Sequence, residues 1–364
     1  MNTRLLSYLV VNLSIIRKNY RNLKNLVGPK TAVSSVVKSD AYGMGLEEIS
    51  KALFNEGCRE FYVDDSFEGE KLRKILGRDP EIFLFKGLYS GDEEIIDSYN
   101  LTPVLNNEIQ IELLESFARK ARKKMPCCLH VDTGMTRLGV SNDNVGEIIT
   151  QIEKNGLLEI KYIISHLSCA DNYKSEMNQG QLKKFQSLAK NHPKYKYSFA
   201  NSAGIFLSRD MHFDQVRPGI SLYGGVVGLV SENVIGQAVS VTTKIINIYK
   251  TKDSVLVGYG ATYKTKQDQC IATIPIGYFN GIFRCLSNKG FCYINGNKAP
   301  YIGNISMGLM SIDLSSIPEG DRNIGQEVEI IGKNISLETI AKLADTINYE
   351  ILTSLKNISH KKYI

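Results

Sequence analysis

Through its first 220 or so residues the chain alternates short β-branched runs with helical periodicities, which restricts it to a few layered α/β folds. The strand-like runs lie near residues 32–37, 60–64, 82–86, 103–105, 128–132, 160–165, 197–200 and 213–217. Between them apolar residues recur at helical spacing. Leu46, Ile49 and Leu53 share one face, as do Ile109, Leu113 and Phe117. Eight strands separated by helices predict a closed, TIM-like (β/α)8 barrel; an open doubly wound sheet is the alternative that pattern alone leaves standing. Ahead of the first run the sequence predicts a strand near Tyr8–Val11, then a helix with Ile16, Tyr20, Leu23 and Val27 on one face.

The pattern changes near residue 234. Residues 239–249, 254–257, 271–276, 290–294, 310–314 and 327–331 read as strands with little helix between them. Asn295-Gly296 marks a hairpin, because both central positions of a type I′ turn need positive φ. One helix is expected over 336–347, with Ser336 as its cap and Glu338 in its first turn. At 364 residues the chain exceeds what a single core usually holds. The reading is a barrel domain over 1–234 followed by a mainly β domain over 235–364.

Composition excludes several classes of function. The net charge of +6 is spread along the chain, and its densest basic stretches, 119–124 and 361–362, carry no interleaved aromatics, which argues against nucleic acid. Seven cysteines, an odd number without a CxxC pair, suit reduced thiols in the cytoplasm. The five histidines show no metal-ligand spacing, so no metal is expected. No apolar run is long enough to span a membrane. The apolar N-terminal stretch is interrupted by Ser7, Asn12 and Ser14 and lacks a cleavage site, so it reads as strand and helix rather than a secretion signal.

The residues that carry chemistry fall at the carboxyl ends of the expected barrel strands, where this fold builds its active sites. Lys38 ends the first strand, His130 the fifth, His166 the sixth, Asn201-Ser202 the seventh and Arg217 the eighth. A lysine at the end of a buried apolar strand is costly unless its amine is paired or used, and a neutral amine there can attack an aldehyde. Ser202, Gly204 and Gly219 suit a phosphate, because small residues let backbone N–H groups approach its oxygens.

The segments VVKSDAYG, VDTGMTRLGV, SFANSAG, VRPGISLYGG, VGYGATY and TIPIGY occur in an order and spacing that resembles the alanine racemase family over nearly the whole chain. That resemblance implies a pyridoxal 5'-phosphate enzyme interconverting L- and D-alanine for peptidoglycan and acting as a homodimer. Lys38 would be the Schiff-base lysine and one catalytic base; Tyr259, from the partner subunit, would be the other. Tyr42, Ser202, Gly219 and Ile220, with Asn201 beside them, would hold the phosphate. His166 would face the pyridine ring and Arg217 its nitrogen. Arg137 would reach the phenolic oxygen and the substrate, with Tyr278 and Met307 lining the substrate site.

The chain also departs from the family. Gly308 and Asn304 stand where an aspartate and an arginine are common, and Tyr278-Phe279-Asn280-Gly281 replaces a YADG-type segment. His130 occupies the place of a carbamylated lysine, and a phosphate-binding tyrosine aligns near Asn357. These changes leave a broader or serine-directed racemase, and a non-catalytic cofactor carrier, as alternatives. A related class of decarboxylases is disfavoured, because no Cys-Asp pair occurs late in the chain.

Overall fold

The computed structural model describes residues 6–230 and 233–364. Strand β1 (Tyr8–Val11) leads into helix Leu13–Val27. Asn12 starts that helix by accepting the Ile15 N–H, and Gly28 stops it at φ +83°, a left-handed conformation that most side chains resist. Its buried face holds Ile16, Tyr20 and Leu23 as expected, together with Asn19, which the apolar pattern did not reveal.

The barrel follows. Its first strand is two short pieces, β2 (Ala32–Val33) and β3 (Ser35–Val36). Then come β4 (Glu60–Val63), β5 (Glu81–Leu84), β6 (Thr102–Leu105) and β7 (Met125–Asp132), with β8 (Val140–Ser141) beside β7. Strands β9 (Leu158–Ile164), β10 (Tyr197–Asn201) and β11 (Gln215–Arg217) complete it. All pairings are parallel in the order β2-β11-β10-β9-β7-β6-β5-β4-β3. The two ends of that path are successive pieces of one strand, so the sheet closes on itself. The open-sheet alternative is therefore excluded.

The second domain carries β12 (Val239–Lys244), β13 (Asn247–Lys250), a small hairpin of β14 (Leu256–Val257) with β15 (Tyr263–Lys264), and β16 (Cys270–Ile274). Strands β17 (Phe291–Ile294), β18 (Asn297–Ile302), β19 (Met310–Asp313), β20 (Glu327–Ile331) and β21 (Lys361–Tyr363) follow. Its sheet runs β13-β16-β19-β18-β17-β20-β12-β1-β21. Thus Tyr8–Val11, which the sequence pattern groups with 1–234, pairs in the second sheet; four residues of strand do not say which sheet they join.

Three expectations change in detail. The strand expected over 239–249 breaks at Ile245 and Ile246, where the chain leaves β20 for β16 and turns the corner of the sheet. The helix expected over 336–347 is Leu337–Leu343, capped by Ser336 at the Thr339 N–H, and a second helix, Asn348–Ser354, follows it. In helix Glu108–Ala121 the buried face is Gln110, Ile111, Leu114, Glu115 and Ala118, while Ile109 is 75% exposed. Polar groups redirect that face. Gln110 bonds the Asn106 N–H and the Lys86 carbonyl, and Glu115 takes the Asn155 amide. The Asn295-Gly296 hairpin forms as expected, with φ of +48° and +81°.

Asn19 links the helix after β1 to the passage between domains. Its amide donates to the Leu222 and Gly236 carbonyls at 3.2 and 2.8 Å, and its oxygen accepts the Gly236 N–H at 2.8 Å. Replacing it with alanine strands these buried groups, so N19A should lose about 2–3 kcal/mol of stability in urea denaturation. N22A, which removes a single half-buried bond to the Val234 carbonyl, should lose about 1 kcal/mol or less.

Candidate active site

Lys38 leaves the barrel at the end of its first strand. The next four residues, Ser39, Asp40, Ala41 and Tyr42, all hold φ between +53° and +59°. Such a left-handed turn costs roughly 1–2 kcal/mol per residue, so neighbours must fix it. Ala41 donates to the Val37 carbonyl and Gly43 to that of Ser39. The Asp40 carboxylate accepts the Leu46 N–H, and its own N–H donates to Glu68. The Lys38 amine is paired rather than dry: its side chain is 39% exposed, and Nζ lies 3.1 Å from Asp64 Oδ1. Sequence reading missed Asp64, which follows β4 with nothing in its local pattern to mark it.

A small-residue pocket faces this turn. Ser202, at the end of β10, accepts the Gly219 N–H at 2.9 Å and the Ser221 N–H at 3.4 Å through Oγ, which leaves its hydroxyl proton free to donate. A Cβ on Gly219 would stand 2.1 Å from the Tyr42 hydroxyl oxygen, so no larger residue fits between them. Burial raises the Tyr42 pKa well above the usual phenol range and keeps that hydroxyl a donor. Ser221 Oγ is buried without a hydrogen-bond partner. Ile220, between these residues, is fully buried. Asn201 bonds the Leu167 carbonyl and the Gly204 N–H and lies 3.5 Å from His166 Nε2. Two further aromatic rings flank Tyr42, Tyr223 at 4.8 Å and Tyr349 at 6.3 Å, whereas Asn357 is exposed.

Arg217 is 3% exposed and locked by bonds to Ser198 Oγ and the Ser165 carbonyl, yet its Nε is without a partner. Burial, then the Arg217 and Arg137 charges, hold His166 well below the usual imidazole range. The same causes push His130 down to about 3. His130 Nδ1 lies 2.7 Å from Asn106 Oδ1, an acceptor, which assigns the proton to Nδ1 and leaves Nε2 unprotonated. Arg137 is exposed, on a loop that Asp132 organises by accepting the N–H groups of Gly134, Met135 and Thr136.

Tyr259, Tyr278 and Met307 form a separate group on the second domain, 76%, 44% and 61% exposed. Asn304 donates to the Tyr259 carbonyl at 2.8 Å, the Tyr278 N–H donates to Ser306, and Asn280 caps the Gly277 N–H. No hydrogen bond or ion pair among the described residues joins this group to Lys38. A Cβ at Gly308 would meet nothing within 4 Å.

Orphaned Arg217 Nε and Ser221 Oγ, with a cradle at Gly219 that only glycine can line, fit an anionic ligand. The alanine racemase N-terminal domain family matches residues 11–226, and the alanine racemase C-terminal domain family matches 238–363. The chain belongs to the alanine racemase family. An alanine racemase of Rickettsia canadensis is 41% identical over 356 residues, covering 98% of both chains. The crystal structure of alanine racemase from Bartonella henselae with covalently bound pyridoxal phosphate matches at a TM-score of 0.93 and 36% identity, over 99% of both chains. The biosynthetic alanine racemase of Pseudomonas aeruginosa matches at 0.90 and 28%, also over 99% of both.

The His130 assignment has a pH consequence. The unfolded chain takes up that proton near 6.5 and the fold only near 3. This group's contribution to stability is therefore complete above about 6.5 and is lost as pH falls toward 3. Its ring resonances should stay at neutral positions in NMR spectra between about pH 8 and 5, where an ordinary histidine titrates.

Proposed function

We propose that the chain interconverts L- and D-alanine with pyridoxal phosphate as its cofactor, acting as a cytoplasmic homodimer whose D-alanine feeds peptidoglycan synthesis. The carrying observation is the cradle in which Ser202 accepts the Gly219 N–H and Gly219 leaves room for the Tyr42 hydroxyl, together with the buried, unpartnered Arg217 Nε and Ser221 Oγ at the same strand ends as Lys38. Tyr42 and Ser202 would donate to the phosphate, Arg217 Nε to the ring nitrogen, and Lys38 would bond the aldehyde. Bound there, pyridoxal phosphate would draw electrons from Cα of an amino acid and loosen its Cα–H bond.

The protein's own work is to move a proton at that carbon. Racemisation removes it from one face and returns it to the other, so two acid–base groups must flank the substrate. Lys38 serves one face and Tyr259 of the partner subunit the other. Arg217 does not surrender its proton, so beside the ring nitrogen it would leave the ring a weaker electron sink and restrain side reactions. Neutral His166 would lie by the ring without competing for the phosphate charge. Arg137 would bind the phenolic oxygen and the substrate, with Tyr278 and Met307 opposite. The exposed group of Tyr259, Tyr278, Phe279, Met307 and Leu309 suits a surface that a second copy covers, which supports the homodimer. Cytoplasmic placement rests on seven free thiols.

A second reading, a racemase of broader specificity that accepts serine, is favoured by one feature. The space beside Gly308 is open next to Met307, where a larger substrate side chain could extend.

Incubation with pyridoxal phosphate and L-alanine in deuterated water should give D-alanine deuterated at Cα, and Lys38→Ala should give none. Tyr259→Phe should lower kcat by roughly 10²–10⁴-fold. Mixing these two inactive variants should restore about a quarter of wild-type activity, since half the dimers are mixed and one of their two sites is intact. No recovery on mixing would place both bases in one subunit. Serine turnover in the same assay would select the broader reading.

A further inference from the structure

We propose that Asp64 is a positioning residue for Lys38, holding the lysine amine whenever it is not bonded to the cofactor. This rests on the function proposed above. The pair joins the ends of adjacent barrel strands, 26 residues apart, and is partly buried, with side chains 39% and 20% exposed. Asp64 divides its oxygens. Oδ1 faces Lys38 at 3.1 Å and Oδ2 faces Lys86 at 3.7 Å, while Lys86 is also held by Asp65 at 3.3 Å.

Both members are mounted rigidly. The Glu68 carboxylate accepts the Asp64 N–H at 3.0 Å with one oxygen and the Asp40 N–H at 3.2 Å with the other. One side chain thus ties the strand end bearing Asp64 to the left-handed turn after Lys38. The Asp64 carbonyl in turn accepts the Lys86 N–H at 2.9 Å. The Phe85 ring, 5.8 Å from Lys38 Nζ, bounds the remaining space. A lysine side chain has four rotatable bonds, and an amine serving a single face of a substrate needs an anchor once it is released. Asp64 supplies that anchor.

The first test uses cofactor-free protein, a limiting lysine-directed acylating reagent and site-resolved peptide mass spectrometry. Lys38 labelling should rise about two- to five-fold in Asp64→Ala, and less in Asp64→Asn, whose amide oxygen still accepts a bond. Lys86 should change less than Lys38, because Asp65 still holds it. The second test measures primary isotope effects with Cα-deuterated L- and D-alanine. Loosening Lys38 slows proton transfer on one face, so the two isotope effects should diverge in Asp64→Ala. General damage to the fold would lower both rates and leave both isotope effects unchanged. Unchanged Lys38 labelling, or unchanged isotope effects, overturns the proposal. A wild-type protein that forms no cofactor–lysine absorption band overturns the functional reading instead, and the labelling still decides whether Asp64 holds the amine.

Discussion

Closure of the barrel through residues 32–36 is the constraint on which the rest of the molecule depends. Ala32 and Val33 pair with β11, Ser35 and Val36 with β4, and Ser34 between them bonds the Val216 carbonyl through both its N–H and its hydroxyl. The strand therefore serves two neighbours in five residues. Val37 donates to the Tyr62 carbonyl and Val36 to that of Pro218, so the strand is gripped from both sides up to the point where Lys38 begins. A lysine following such a strand cannot choose its position. It emerges at the rim between β4, which Asp64 follows, and β11, which ends in Arg217 and leads to Gly219, with Ser202 following the next strand, β10.

The strained turn after Lys38 follows from that grip. The chain must leave a closed barrel and enter helix Leu46–Asn55 within a few residues, and four consecutive left-handed residues achieve this while pointing the Tyr42 ring back against Tyr223. At roughly 1–2 kcal/mol per residue, the turn would not survive alone. Its supports come from distant parts of the chain: Glu68 from the next helix, Lys361 at 3.5 Å from Asp40, and the Tyr363 hydroxyl on the Met44 carbonyl. Because β21 also pairs with β1, the last residues of the chain fasten the second domain to the turn that carries the lysine. Domain packing and lysine placement are thus one mechanical problem.

Much of this was legible in the sequence, and the part that was not has a common physical origin. Eight strands, the hairpin at Asn295-Gly296 and the rim positions of Lys38, Ser202 and Arg217 could be read because each leaves a periodic or local mark. Asn19, Asp64 and Glu68 left none. Each is a polar residue whose partner lies on another element, 26 to 217 positions away, and periodicity carries no record of that partner. In helix Glu108–Ala121, Leu113 and Phe117 of the expected face pack against the core, but Ile109 is exposed and Gln110 and Glu115 are buried by bonds that hydrophobic pattern cannot foresee. The strand β1 was visible as a strand, but its membership of the second sheet is a long-range pairing of the same kind.

The departures from the family follow a consistent logic when weighed by what each residue touches. Asn304 fastens the backbone of Tyr259 with its amide, so a neutral residue now shapes that loop. Asn280 performs a capping task on the Tyr278 turn. His130 is uncharged and bonded to Asn106, so the rim near Arg137 and Arg217 lacks a fixed anion at that position. Anionic character near the lysine is supplied from the opposite side, by Asp64 just after β4. At three of these positions, Asn304, Asn280 and His130, a neutral hydrogen bond takes the place of a charge. On the function proposed above, a cofactor phosphate and a substrate carboxylate entering this rim would meet arginine and hydroxyl donors and a paired lysine, an arrangement suited to orienting an amino acid before any bond at Cα is broken.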